Sequence, residues 1–152
     1  MADAETCKLT PSHPPKPTSI KSFAAILPEI KKQLLHLRHA HDKHEPEYFS
    51  TVSSLSDSDL TDFDENDLVA VRAGSVAYGV IVFGKVRLPK SDGGFIFVRW
   101  FGGGEDTDAD GDGKVDVEYK FHSIYTEEKE VNGDKKFRAI MGEGDELEFF
   151  HE

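Results

Sequence analysis

The feature that most constrains the fold is a change of hydrophobic period near residue 67. Before it, Phe23, Leu27, Ile30, Leu34, Leu37 and His41 recur at three- and four-residue steps, the spacing that lines one stripe of a helix. After it, Val115, Val117, Tyr119 and Phe121 alternate with Asp116, Glu118, Lys120 and His122, the period of a strand with one buried and one wet face. A chain that is helical first and β thereafter can bury both apolar surfaces by laying the helix on an antiparallel meander. The expected class is therefore α+β, with the N-terminal helix packed on a curved antiparallel meander or partly closed barrel of five to six strands. With 152 residues, 38% of them hydrophobic, the chain can enclose one core, so one domain is expected.

Local signals set the expected boundaries. Pro11, Pro14, Pro15 and Pro17 make residues 1–19 a disordered Pro-rich leader, leaving 20–152 as the domain. A proline in a helix interior costs about 3 kcal/mol, so Pro28 is expected to open the main helix, over 28–41, after a separate turn at Thr18 or Ser19. Residues 53–67 hold six acidic and no basic side chains and form an acidic loop. The β-meander then occupies 68–151, with strands at Leu68–Arg72, Tyr78–Leu88, Phe95–Phe101, through Tyr125, at Lys136–Met141 and at Glu146–Phe150. The nearly unbroken apolar run Phe95–Phe101 suits a central strand covered on both faces, and Asn132-Gly133 marks a two-residue type I′ hairpin turn.

Between the strands ending near Phe101 and beginning at Val115 lies an aspartate-rich loop. Asp108, Asp110 and Asp112 stand at alternate positions, followed by Gly113, Lys114 and Asp116. Ca²⁺ takes six to eight oxygens, and alternate residues of a tightly curled loop can aim carboxylates at one centre. The expected ligands are Asp108, Asp110, Asp112, the Lys114 carbonyl, and Asp116 directly or through water, with Ca²⁺ as the cofactor. The loop resembles the DxDxDG calcium loops of EF-hands and of integrin-type propeller repeats. It departs from EF-hands at the twelfth position, where Tyr119 replaces a bidentate glutamate and a strand follows in place of a helix.

Four histidines, His36, His39, His41 and His44, crowd the end of the helix. His41 and His44, with Glu45, are the candidates for a second metal site; the alternative is basic side chains meeting the negative end of the helix dipole.

Eighteen basic residues against 29 acidic give a net charge of −11. Residues 1–48 carry seven Lys/Arg and six Asp/Glu, so the whole negative excess falls in 49–152. That field repels phosphate, which argues against nucleic acid and anionic membranes and favours a basic peptide or protein as partner. Cys7 is the single cysteine, so no internal disulfide forms. The sequence holds no apolar run long enough to span a bilayer and no signal-like start, which implies a cytoplasmic or nuclear address.

The segments DLVAVR, YGVIVFGKV and FIFVRWFGGGEDT, within Asp67–Thr107, resemble the opening strands of SH3-like barrels in chromatin readers of the Tudor and bromo-adjacent-homology type. The resemblance covers about a quarter of the chain. It implies an aromatic cage for a basic side chain, held by cation–π attraction, with Tyr78, Trp100 and Phe101 as the available rings. A helix followed by a curved meander also describes cystatin-like and NTF2-like cones, in which His122 with Glu118 or His39 would serve as acid and base. No Ser/His/Asp set, phosphate-binding glycine loop or zinc signature is present. The sequence thus favours an acidic binding module over an enzyme.

Overall fold

The computed structural model describes residues 9–44, 46–76, 79–105 and 116–150. Helix α1 spans Pro17–His44, followed by a 3₁₀ turn at Pro46–Val52 and a one-turn helix α2 at Asp57–Leu60. Among the described residues six strands follow: β1 Leu68–Val76, β2 Gly79–Leu88, β3 Gly94–Glu105, β4 Asp116–Ile124, β5 Glu127–Val131 and β6 Asp134–Arg138. The first four form one open antiparallel sheet in chain order, and β5 with β6 form a separate hairpin. The expected α+β meander is present. The sheet does not close into a barrel, and its strands are divided between two sheets.

Helix α1 differs from its expected length because Pro28 lies inside it. Phe23 and Ile26 precede the proline yet are buried in the same cluster as Ile30 and Leu34. Burying two such side chains is worth about 3–6 kcal/mol, enough to offset the ~3 kcal/mol cost of an interior proline. Ser22 adds a tether, since it receives the Trp100 indole N–H at 3.0 Å and donates to the Ser19 carbonyl at 2.9 Å. At the other end Arg38 is buried and donates to the Val52 carbonyl at 3.2 Å and to Asp57 at 3.4 Å. It binds the acidic 53–67 segment to the helix. That segment is no simple loop: Ser56 caps α2 and Asp64 caps a 3₁₀ turn at Glu65–Asp67, while Leu60 and Phe63 reach the core.

Register assigns the two faces of the sheet. Val82, Val86, Ile96, Val98 and Trp100 face α1, together with Tyr119 and Phe121 of β4. Ile81, Phe83, Phe95 and Phe97 face the other way. Both sides of β3 are covered, as its apolar run implies. The Asn132-Gly133 turn has φ of 53° and 84°, the two positive values a type I′ turn requires.

Two terminal segments complete the sheet. The leader is in part tied down: Thr10–His13 runs along the outer edge of β1, where His13 and Val71 exchange backbone hydrogen bonds at 3.1 and 2.9 Å and the Thr10 N–H reaches the Ala73 carbonyl. After β6 the chain returns to β3, where Met141 and Phe95 exchange bonds at 2.7 and 2.8 Å. Residues 146–150, read from the sequence as a strand, belong to no strand of either sheet. They cross the second face as a strap.

Candidate binding cleft

The strap, together with the Gly142–Asp145 turn that leads into it, is held by cations rather than by a strand ladder. Arg72 of β1 donates to the Leu147 carbonyl at 2.8 Å, Lys85 of β2 to those of Glu143 and Asp145 at 2.7 and 2.9 Å, and Arg99 of β3 to that of Phe150 at 2.7 Å. Such charge-assisted bonds are about twice as strong as neutral ones. Lys85 also lies over the Phe95 ring at 4.7 Å, and Arg99 lies over both Phe83 and Phe149 at 5.7 and 5.5 Å. Leu147 and Phe150 fill the apolar second face.

Between the strap and the β5–β6 hairpin opens a cleft of about 200 Å³. Its mouth is set by Arg138 at the end of β6, whose guanidinium grips Asp145 through two bonds of 2.8 Å and also donates to Glu127. The Asp145 carboxylate receives the Gly142 N–H at 2.7 Å as well, closing the Gly142–Asp145 turn. The Arg138 hydrogen bonds hold the Asp145 carboxyl below its ordinary pKa of 3.8, with the Gly142 N–H adding to the effect. Hydrogen bonds to Asp145 first, and to Glu127 second, raise the pKa of Arg138 in turn.

The floor of the cleft is aromatic. Tyr125 packs on Phe150 at 5.0 Å and on Phe97 at 6.3 Å between ring centroids, and half-buried Phe149 forms part of the wall. Burial first, and the Glu127 charge second, push the Tyr125 phenol above its ordinary pKa of 10.0. The charged lining is four carboxylates, Glu127, Asp145, Glu146 and Glu148, against the guanidinium of Arg138. Arg138 already serves two of them, while Glu146 and Glu148 are exposed. An acidic rim over ring faces is an environment for a cation.

The sequence-derived candidates fare differently. Asp108, Asp110, Asp112 and Lys114 lie outside the described residues, as do Tyr78 and Glu45; the backbone of Asp116 begins β4, paired with Glu105 at the end of β3. Trp100 is fully buried beneath α1 with its N–H on Ser22, so it has no face open to a ligand and belongs to the core. Phe101 is half-buried on the opposite face, stacked on His122 at 6.4 Å. The expected cage is therefore not assembled from Trp100 and Phe101, because neighbouring residues of one strand point to opposite sides of the sheet.

His41 packs on Tyr48 with ring centroids 4.0 Å apart and planes tilted by 38°, and His44 is exposed at the helix end. Among the described residues no three His, Cys, Asp or Glu side chains form a metal-holding group. His39 bonds to Asp57 at 2.8 Å and His122 accepts from Arg99 at 3.0 Å, so each is oriented by a different neighbour; Glu118 is exposed. Between α1 and the centre of the sheet, where a cone-type fold keeps its pocket, Phe23, Ile30, Leu34 and Trp100 are packed together; the open space on this side lies at the margin, between α1 and β4, and His122 lines it with Gln33.

Sequence reasoning missed Tyr125, Glu127, Arg138, Glu146 and Glu148 as site residues. The signal available is the alternation of acid and apolar in Glu146-Leu-Glu-Phe-Phe150, a pattern that an ordinary edge strand shares. Among the described residues no helix is long and apolar enough to cross a membrane. No family model, curated protein or solved structure matches the chain.

Proposed function

We propose that the protein is a non-enzymatic binding module whose cleft receives a lysine or arginine side chain of a basic partner. The observation that carries this reading is the pairing of aromatic side chains, Tyr125 on the floor and Phe149 in the wall, with the exposed carboxylates Glu146 and Glu148. Ring faces attract a desolvated cation, and the carboxylates offset its loss of water. The acidic field of residues 49–152 draws basic segments in from a distance. The test is calorimetric titration with a short lysine-rich peptide at two salt concentrations. Tyr125→Leu should abolish binding while Tyr125→Phe retains it, and Glu146→Gln with Glu148→Gln should weaken it. If Tyr125→Leu binds as the parent protein does, attraction is diffuse and the cleft is not the site.

A second reading concerns calcium, with Asp108, Asp110, Asp112, the Lys114 carbonyl and Asp116 as ligands. Its support is the pairing of Glu105 with Asp116, which joins the two ends of the connection and leads from it straight into β4. Without a position-12 glutamate the affinity falls in the range of roughly 10⁻⁴–10⁻³ M of weaker modules. Millimolar Ca²⁺ should raise the melting temperature, and Asp110→Asn with Asp112→Asn should remove the rise. No shift in the parent protein would end this reading and leave the peptide cleft untouched.

A further inference from the structure

The two long edges of the main sheet are treated differently. The outer edge of β1 is covered by Thr10–His13. The outer edge of β4 carries no paired strand among the described residues, although β4 is nine residues long. Unpaired strand edges template the addition of another strand, and proteins guard them with lysines and bulges. Here the guards are Lys120 and an irregularity between Arg99 and Trp100 of β3 that leaves His122 out of the register. Beside this edge, α1 and β4 leave two adjoining grooves of about 340 and 450 Å³, lined by Ile26, Gln33, Leu37, Tyr119, Phe121 and Ile124.

The edge is self-complementary in one register. Two β4 strands placed antiparallel about a twofold axis through Tyr119 set Glu118 of each copy opposite Lys120 of the other, with the two Tyr119 residues facing each other. Directly opposed unlike charges stabilise a strand pair and like charges destabilise it. Moving the axis by one residue, to Lys120, sets Lys120 against its own copy. The charge that repels an arbitrary strand is thus satisfied when the partner is this same strand in the Tyr119 register. A twofold axis also requires that if Glu118 meets Lys120, Lys120 meets Glu118, as it does here.

We propose that β4 pairs with β4 of a second copy of this chain, joining the two sheets into one, with the α1–β4 grooves taking up the half-buried Tyr119 and Phe121 of the seam. The reading is independent of the peptide cleft, which lies elsewhere, between the strap and β5–β6.

Sedimentation velocity of the full chain tests it. The expected mass is twice the 17.0 kDa of one chain. Lys120→Glu, which sets a carboxylate against Glu118 at two symmetric places, should weaken association by about tenfold. Adding Glu118→Lys to it should restore the dimer, and circular dichroism should show all variants folded. As a second measurement, Tyr119→Cys in a Cys7→Ser background should oxidise to a covalent dimer, since directly opposed residues stand at disulfide distance, while Lys90→Cys should not. A single-chain mass at every concentration, or a dimer indifferent to the single reversal and to the cysteine position, overturns the proposal.

Discussion

The two faces of the central sheet are closed by opposite means. Facing α1, buried Val82, Val98 and Trp100 meet Phe23, Ile30 and Leu34, and the contact is apolar surface against a regular helix. On the second face the apolar row Ile81, Phe83, Phe95 and Phe97 is covered by an irregular strap, whose carbonyls are caught by Arg72, Lys85 and Arg99. The difference follows from what each cover lacks. A helix satisfies its own backbone, so it needs only an apolar stripe to dock. A strap outside any helix or ladder brings carbonyls without backbone partners onto a buried surface, so the sheet beneath it must supply donors. The helix face is therefore closed by apolar packing, and the strap face, held by a few directional bonds and bordered by charge, carries an acidic cleft at its margin.

Four experiments bear on this contrast. The largest effect is expected on the helix face, where Leu34→Ala should cost about 2–5 kcal/mol in denaturant unfolding, because Leu34 is fully buried; a loss below about 0.5 kcal/mol would mean that α1 is not the closing element. On the strap face, Arg99→Met should cost about 1–3 kcal/mol by leaving the Phe150 carbonyl without its donor. Its signature is faster amide exchange in 146–150 with α1 unchanged, and equal deprotection of both would erase the distinction between the faces.

Acid should act on the strap before the helix. Since the folded-state pKa of Asp145 lies below its ordinary 3.8, its contribution is present above that value and is lost as pH falls through the folded one. Asp145→Asn should flatten the acid limb of the stability curve, and an unchanged limb would remove Asp145 from the clasp. The smallest effect concerns Tyr125, whose folded-state pKa lies above 10.0. Its contribution is full below pH 10 and declines as pH rises through the folded value. Absorbance titration should show phenol ionisation above pH 10 that is lost in Tyr125→Phe; an unchanged high-pH limb in that variant would place Tyr125 in open water.

Sequence periodicity alone determined that a helix precedes an antiparallel meander, that β3 is covered on both faces, and that Asn132-Gly133 closes a hairpin. These are properties of residues near one another in the chain, where spacing and turn chemistry decide the outcome. Periodicity misplaces the start of α1 because the gain that carries the helix through Pro28 comes from Phe23 and Ile26 reaching a core built largely by later strands. Trp100 escapes it for a related reason: a ring beside Arg99 in sequence lies on the far side of the sheet from it, and only the position of α1 shows which side is closed. The cleft depended on tertiary structure most of all. Arg138 meets Asp145 and Glu127 across two turns, and Tyr125 meets Phe150 from the far side of the β5–β6 hairpin in sequence. No local pattern encodes such meetings, because the free energy that enforces them resides in contacts the chain acquires only once the sheet has formed.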